Sequence, residues 1–419
     1  MTDRNQKRRA VITGIGVTAP NGLDVETFWK SLCEGRSAAS FVKSIDTTNL
    51  PTKVGCVLNG FNPTDQIDPK MAHRYDPSIQ FGISASKLAV KDAGIDLTRL
   101  DPDRIGVVEG TSIGGMTSSL AGYDAFNKKG FRGITPFALI NAYTGGGSSE
   151  IALALNISGH ATTICTACSS GSDAIGYSIG LIEEDDVDVM IAGATEAPMI
   201  PAYWGIFCAA KSMSRETEVA SRAMKPFDKN RDGFILGEGA AFVVIEELSY
   251  ALERGADIYA EIVGYGRSCD SFHSVAQHPE GRGAYRSLEK ALRRAGMHPS
   301  EVDYINVHGS ATPSNDVIEA KVIKRVFMDH SRRLQISATK PVTGHLAGAA
   351  GAIESAICAL SIRRSEIPPT INLVNPDPAC DLDCVPDHSR KYPVNVAINM
   401  NAGFGGKNAC IILKRFSLS

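Results

Sequence analysis

Four β-branched apolar runs that each end near glycine constrain the fold of this chain more than any other feature. They lie at 9–20, 104–115, 188–197 and 304–313. Such runs are typical of buried strands that lead into loops. Helical patterns lie between and beside them, at 80–94, 171–184, 283–296 and 315–327. Alternating strands and helices predict an α/β fold, with a mostly parallel sheet covered by helices.

A weak internal repeat of strand and helix patterns divides the chain into two parts. GAAFVVIEE at 239–247 runs into a helical pattern, and YAEIVGYGRS at 259–268 begins a second series that ends with AINMNAGFGGKNACIILK at 397–414. The chain has 419 residues, more than a usual single domain, and no segment reads as a flexible linker. We therefore expect two packed α/β halves, 1–255 and 256–419, or one large α/β unit.

Charge and hydropathy exclude several classes of protein. The formal net charge is −3 with mixed signs, so no basic face for nucleic acid or a membrane surface is evident. The basic run from Arg4 to Arg9 is typical of a solvated N-terminal tail. No apolar stretch reaches the ~20 residues of a membrane helix, and no signal peptide fits. We expect a cytoplasmic protein that binds neither nucleic acid nor membrane.

The cysteines indicate a reducing environment and one candidate nucleophile. Ten cysteines are scattered through strand and helix patterns, as expected for free thiols. Cys165 and Cys168 form a C-x-x-C motif, but there is no second pair for zinc and no thioredoxin-like context, so we expect no metal site. TTICTACSSGSDAIGYSIG predicts a strand, a sharp turn at Cys168 and a helix. A helix N-terminus favours thiolate, which makes Cys168 a candidate nucleophile, with a core thiol as the alternative.

Three further segments place polar residues in loops after predicted strands. His308 ends a buried strand in YINVHGSATPSND, where a structural histidine is the ordinary interpretation. Lys340 and His345 lie in a polar turn, TKPVTGH, before a helix rich in small residues that permit close packing. Phe404 lies among three glycines in AGFGGKN, a loop whose backbone can approach a ligand closely, or an ordinary hairpin.

In combination these segments resemble one family, the β-ketoacyl-acyl carrier protein synthases, and most closely synthase II. The matching motifs, in order, are TACSSG with Cys168, HGSATP with His308, TKPVTGHLAGAAG with Lys340 and His345, and GFGG with Phe404. Further matches include VITGIGVTAPNG, SIGGM, PFDKNRDGFILGEGA and IPPTINLVNPDPACDLDCVP, so the resemblance covers nearly the whole chain. It implies a thiolase fold of two related halves in five α-β-α-β-α layers, usually dimeric.

The resemblance also implies a role for each catalytic residue. Cys168 would carry an acyl group, while neutral His308 and His345 stabilise the enolate formed when a malonyl thioester loses carbon dioxide. Lys340 would hold the histidine site electrostatically, paired with Glu319. Phe404 would gate the cysteine, and the N–H groups of residues 168 and 404 would form the oxyanion hole.

Substrate contacts and partners follow from the same resemblance. Ser310 and Thr312 match positions that contact the phosphopantetheine arm of an acyl carrier protein, and Ile113 matches a residue lining the acyl pocket. No cofactor of the protein's own is expected, because the substrates arrive on that arm. The resemblance implies an acyltransferase that binds acyl carrier protein and forms a homodimer, or a heterodimer with a homologue of the chain-length-factor kind.

Departures from the family pattern leave the pathway open. Ser310-Ala311-Thr312 replaces threonine-serine-threonine, and Pro341-Val342 replaces serine-methionine. Met400, Asn401 and Ala402 stand where the fatty-acid enzymes carry asparagine, serine and phenylalanine. Loss of that ring predicts a pocket with space at Ala402 for a bulkier or more rigid acyl chain. Type II fatty-acid synthesis and a type II polyketide or polyene pathway both fit.

Two other functions are compatible with this fold. A non-catalytic partner of the chain-length-factor kind would lack the nucleophile, whereas Cys168, His308, Lys340 and His345 are all present here. A thiolase would carry a second catalytic cysteine motif, which the sequence does not show. The condensing enzyme is therefore the favoured prediction.

Overall fold

The computed structural model describes residues 8–418. The strands are Ala10–Thr18 (β1), Ser40–Phe41 (β2), Val54–Gly55 (β3), Ile105–Gly110 (β4), Ala161–Ile164 (β5), Val189–Glu196 (β6), Gly239–Glu247 (β7), Ala260–Cys269 (β8), Tyr304–Asn306 (β9), Gln335–Ser337 (β10), Glu366–Ile367 (β11), Arg390–Lys391 (β12), Val396–Gly403 (β13) and Lys407–Lys414 (β14). The α-helices are Val25–Cys33 (α1), Pro69–Ala72 (α2), Pro77–Ala93 (α3), Met116–Lys129 (α4), Ala138–Ala142 (α5), Gly146–Leu155 (α6), Ser170–Glu183 (α7), Pro201–Ala209 (α8), Leu248–Glu253 (α9), Arg282–Ala295 (α10), Asn315–Phe327 (α11), Lys340–Thr343 (α12) and Ala350–Arg364 (α13).

Ten of the strands form one sheet, in the order β10-β9-β13-β14-β8-β1-β7-β6-β4-β5. The first half contributes β1, β4, β5, β6 and β7, and the second half contributes β8, β9, β10, β13 and β14. Counted from the outer edge of the sheet towards its centre, each half has its strands in the order third, second, fourth, fifth, first along the chain. The pairing repeats as well, because β4 is parallel to β5 and β6, and β9 is parallel to β10 and β13. All other neighbours are antiparallel. The sheet is therefore mixed, and the expectation of a mostly parallel sheet is wrong, because the last strand of each half runs against its neighbours.

The outer helices are equivalent in the two halves. Helix α3 covers β1 and β7, and α10 covers β8 and β14. Both helices end at a glycine with positive φ, Gly94 and Gly296, which only a residue without a Cβ adopts at no cost. Both also pack on glycine in the first strand of their half: a Cβ on Gly16 would lie 2.0 Å from Ala85 O, and one on Gly266 would lie 1.9 Å from Ser287 O.

Two central helices, α7 and α13, form the middle layer between the two halves of the sheet. Their starts touch because both begin with small residues. A Cβ on Gly171 would lie 2.5 Å from the backbone nitrogen of Ala352, and a Cβ on Gly351 would lie 2.4 Å from Ser172 Oγ. The small-residue motifs TACSSG and AGAAG are therefore the contact surfaces of the two buried helices, and this gives the five layers that the resemblance implies.

Three further expectations concern the chain as a whole. The predicted boundary at 255/256 falls between α9 and β8, and the division into two units remains a prediction. Residues 4–7 of the basic run lie outside the described residues, whereas Arg8 forms an ion pair with Asp188 and Arg9 one with Glu261. Within residues 8–418, none of the helices has the length and apolar character needed to cross a membrane.

Candidate active site

Cys168 lies in a tight turn between the edge strand β5 and the central helix α7. The turn is a single 3₁₀ segment, Ala167–Ser169, in which Ala167 has a left-handed φ of +54°. Hydroxyl groups close it, because Ser169 Oγ donates to the carbonyl of Thr166 at 2.8 Å and Thr166 N donates to Ser170 Oγ at 2.9 Å. The predicted strand, sharp turn and helix are therefore present, and the sulfur is buried at the start of the helix.

The environment of the Cys168 sulfur opposes ionisation. Burial raises the pKa of the thiol to about 12, although the charge of Lys340 and the backbone N–H of Phe404 act in the opposite direction. The sequence led us to expect a thiolate favoured by the helix terminus. Instead, burial keeps the resting thiol protonated, so acylation requires that its proton be transferred.

His308 follows β9 and is held through its backbone. Its N–H donates to Glu319 Oε1 at 2.6 Å, and the N–H of Gly309 donates to Glu319 Oε2 at 2.9 Å. Its carbonyl oxygen accepts a hydrogen bond from Lys340 Nζ at 2.5 Å. Burial, with the charge of Lys340 and the neighbouring His345, lowers the pKa of His308 well below its ordinary value. The imidazole is therefore neutral and can donate one N–H.

The resemblance led us to expect an ion pair between Lys340 and Glu319, but Lys340 pairs with another carboxylate. Its ammonium group forms an ion pair with Glu354 on α13, and the two side chains are only 1% and 2% exposed. The second carboxylate oxygen of Glu354 accepts a hydrogen bond from Asn401 Nδ2 at 2.6 Å. The two oxygens of Glu319 instead accept the backbone N–H groups of residues 308 and 309. Glu319 thus supports the site as a backbone anchor.

His345 lies in the loop between α12 and α13, which places it beside His308. The two ring centroids are 5.4 Å apart with nearly perpendicular planes, and the ring of Phe234 packs against His345 at 4.9 Å. The backbone N–H of His345 donates to the carbonyl of Ile235 at 2.8 Å. Burial, together with the charge of Lys340, lowers the pKa of His345 well below its ordinary value. Both imidazoles are therefore neutral.

One cavity brings the predicted residues together. It has a volume of about 240 Å³, and its wall includes Cys168, His308, His345, Ser310, Thr312, Ala402 and Phe404. Ser310 and Thr312 contact each other through their hydroxyls at 3.1 Å, on the wall of the same cavity. The structure therefore places seven of the predicted site residues around one space.

Ile113 is the predicted acyl-pocket residue and lies apart from the cavity. It does not line the cavity at Cys168 but belongs to the apolar cluster that also contains Phe404, Phe207 and Tyr203. The ring of Phe404 lies 5.8 Å from that of Phe207. Phe404 therefore lines the cavity and also packs against the cluster that contains Ile113, and its role as a gate stays a prediction.

Sequence reasoning missed three residues that organise this site. Glu354 and Asn401 extend the ion pair of Lys340, and Asn401 Oδ1 accepts a hydrogen bond from Ser172 Oγ on α7 at 2.5 Å. Glu196 accepts hydrogen bonds from the N–H groups of Ser112 and Ile113 at 2.9 and 3.2 Å. The available signal for Glu354 was a single acidic residue inside the apolar helix GAIESAICAL, since such a charge needs a buried partner.

The site combines a cysteine at the start of a central helix with two neutral histidines and a buried lysine. In a duplicated five-layer fold, this combination defines a thiolase-fold condensing enzyme. Comparison with known families agrees with this class. The family model described as "Beta-ketoacyl synthase, N-terminal domain" matches residues 7–251, and "Beta-ketoacyl synthase, C-terminal domain" matches residues 259–374. The chain belongs to the β-ketoacyl synthase family, and the predicted resemblance is confirmed.

Relatives that align along nearly the whole chain carry the name synthase 2. A 3-oxoacyl-[acyl-carrier-protein] synthase 2 of Coxiella burnetii is 40% identical over 410 residues, which is 98% of this chain and 99% of that protein. The protein of the same name from Staphylococcus aureus (strain COL) is 40% identical over 412 residues, again 98% of this chain and 99% of that protein.

Solved structures confirm the predicted fold. The ishigamide ketosynthase/chain length factor superposes with a TM-score of 0.92 at 32% identity, covering 98% of this chain and 100% of that chain. A type II PKS ketosynthase in complex with its acyl-carrier protein gives a TM-score of 0.91 at 30% identity, with the same coverage.

Proposed function

We propose that this protein is a β-ketoacyl-acyl carrier protein synthase that joins an acyl group held on Cys168 to a malonyl unit with loss of carbon dioxide. The observation that carries the proposal is the single cavity lined by Cys168, His308 and His345. The names of the relatives at 40% identity support the same activity.

The first step is acylation of Cys168 by an acyl thioester. The sulfur attacks the thioester carbonyl, and the thiol of the donor leaves. Because burial keeps the resting thiol protonated, a neutral imidazole in the same cavity is the available proton acceptor. In this scheme the backbone N–H groups of Phe404 and Cys168 stabilise the oxyanion, and the hydrogen bond from Phe404 that lowers the pKa of Cys168 supports this role.

The second step uses the histidines as hydrogen-bond donors. A malonyl thioester loses carbon dioxide, and the electron pair of the broken bond forms an enolate whose oxygen accepts N–H groups from His308 and His345. The α-carbon then attacks the carbonyl of the acyl group on Cys168. The Cys168 sulfur leaves as thiolate and takes up a proton. Lys340 does not touch the substrate in this scheme. It lowers the pKa of both imidazoles and fixes the His308 loop.

The substrate carrier is an acyl carrier protein, whose phosphopantetheine arm enters along Ser310 and Thr312. The two hydroxyls stand on the cavity wall within 3.1 Å of each other, so they can bind the amide groups of such an arm. We propose that the protein needs no cofactor of its own. The solved complex of a type II PKS ketosynthase with its acyl-carrier protein supports this partner.

A second subunit is proposed from the surface beside β5. This strand is an edge of the sheet, and the segment that precedes it exposes large apolar side chains: Tyr123, Phe126, Phe131, Leu139 and Tyr143, which are 50–84% exposed. An unpaired strand edge and an exposed apolar patch are each typical of a subunit interface. Native mass spectrometry separates the two possibilities. A dimer of the chain alone indicates a homodimer, whereas dimerisation only with a co-expressed homologue lacking the cysteine indicates a heterodimer.

The activity is tested by following the two steps separately. Intact-mass analysis after incubation with acyl carrier thioester should show an acyl adduct that is lost in Cys168→Ala. The same variant should still release carbon dioxide from malonyl carrier protein, because the enolate is stabilised by the histidines. No adduct and no carbon dioxide release from folded wild-type protein, alone or with its homologue, would instead support a non-catalytic partner subunit.

A further inference from the structure

A second cavity lies beside the active-site cavity, and Ala402 lines both. Four residues line both spaces: His308, Ala402, Gln277 and Asn315. We call the second space the side cavity. It extends between β13, β14 and the helices α10 and α11, where its wall includes Ala284 and Ile318. Neither Ile113 nor Phe404 lines it, so the side cavity is separate from the apolar cluster that contains both residues.

The size and lining of the side cavity fit one small apolar group. Its volume is about 20 Å³, and a space of roughly 10–15 Å³ on this measure already holds one water-sized group. Its exposed lining is mostly apolar and includes Ala284, Ile318, Met400 and Ala409, while polar residues such as Ser287 and Glu319 line it as well. The space depends on the short side chain of Ala402, because a larger residue there would fill it.

The position of the side cavity assigns it to the malonyl unit rather than to the acyl chain on Cys168. In the proposed reaction His308 donates a hydrogen bond to the oxygen of the malonyl thioester. The α-carbon is bonded to the carbon that bears this oxygen, so a substituent on the α-carbon lies within a few ångströms of His308. A group there needs space beside His308 and Ala402, and both residues line the side cavity.

From this geometry we propose that the protein accepts a 2-methylmalonyl thioester as extender, with the methyl group in the side cavity, and that Ala402 determines this specificity. The inference rests on the proposed function. The bond from the α-carbon to the carboxylate breaks and carbon dioxide leaves. Its electron pair forms the new bond from the α-carbon to the acyl carbonyl, the bond to Cys168 sulfur breaks, and the released thiolate takes one proton from solvent. The product is a 2-methyl-3-oxoacyl thioester.

The test is a competition between malonyl and 2-methylmalonyl carrier thioesters on protein acylated at Cys168, with both products measured by mass spectrometry. Wild-type protein should form both. Ala402→Val should lower the ratio of methylated to unmethylated product about tenfold or more, because an overfilled cavity excludes the methyl group. Ala284→Val reaches the side cavity from α10 without lining the active-site cavity and should lower the ratio in the same direction. Ala402→Gly should raise it.

The outcomes separate this inference from the proposed function. Wild-type protein that extends with malonyl but gives no methylated product overturns the inference and leaves the proposed function in place. A methylated product whose ratio is the same in wild type, Ala402→Val and Ala284→Val also overturns it, because the methyl group must then lie elsewhere. If neither extender is used, the proposed function itself fails.

Discussion

Replacement of Glu354 by Gln tests which carboxylate is the partner of Lys340. In the structure the Lys340 ammonium has two acceptors, the carboxylate of Glu354 and the carbonyl of His308. In Glu354→Gln the amide must direct its NH₂ group toward one of two donors, the Lys340 ammonium or Asn401 Nδ2. The variant therefore leaves a buried cation without its counter-charge.

The expected magnitude follows from burial. Both side chains are at most 2% exposed, and removal of one partner from a buried ion pair costs about 3–5 kcal/mol. Glu319→Gln is the matched control, because it removes a carboxylate that accepts two backbone N–H groups and pairs with no lysine. Its amide oxygen can retain one of these bonds, so the loss should be nearer ~1–3 kcal/mol.

A double-mutant cycle gives the decisive measurement. Free energies of unfolding in urea are compared for Lys340→Met, Glu354→Gln and Glu319→Gln and for the two doubles that contain Lys340→Met. Contacting residues show coupling energies of roughly 0.5–3 kcal/mol, so Lys340 and Glu354 should be strongly coupled and Lys340 and Glu319 weakly. Strong coupling of Lys340 to Glu319 with none to Glu354 would refute the assignment and restore the pairing expected from the resemblance.

Three further predictions concern the cysteine and the histidines. His308→Ala and His345→Ala should each lower the rate of malonyl decarboxylation ~10²–10³-fold. Acylation of Cys168 should persist in at least one of the two variants, because the remaining imidazole can accept the thiol proton. Loss of acylation in both variants would contradict this. Alkylation of Cys168 by iodoacetamide, followed by site-resolved mass spectrometry, should still accelerate above pH 9.0, the ordinary thiol value, whereas a plateau at neutral pH would show that the helix terminus outweighs burial. The pKa of His308 in the folded protein lies below the unfolded value of 6.5, so the unfolded chain binds the proton first and stability should fall as the pH drops below 6.5. Urea unfolding of wild type and His308→Gln on both sides of that pH should show a smaller loss in the variant.

The sequence predicted the parts of the site that depend on local pattern. Strand ends, the turn at Cys168 and the two small-residue helices follow from period, glycine and hydroxyl content, and all of them are present. It did not predict the partner of Lys340, because Glu319 and Glu354 both lie on helices near the lysine and only packing decides between them. The ionisation of Cys168 was also missed, because burial of the sulfur depends on how distant segments, such as the Phe404 loop, close over it. The departure at Ala402 predicted extra space, but only the structure shows which other residues line that space.

Duplication of the fold explains why residues so far apart in the chain meet. Equivalent strands of the two halves end at the same site. Cys168 follows the third strand of the first half, and Lys340 and His345 follow the third strand of the second half. Each therefore stands before one of the two central helices, whose first turns touch through Gly171 and Gly351. Contact between two halves with the same topology thus brings Cys168 and His345 to one cavity.

The same comparison gives a reason for two buried carboxylates that do not react. His308 follows the second strand of its half, and the equivalent loop of the first half contains Ile113. In each loop a buried glutamate accepts two consecutive backbone N–H groups, Glu319 from residues 308 and 309 and Glu196 from residues 112 and 113. Loops at a catalytic centre leave backbone donors without secondary-structure partners, and a carboxylate with two oxygens satisfies both donors of such a turn. The same anchoring geometry therefore holds the loop of Ile113 in the first half and the loop of His308 in the second half.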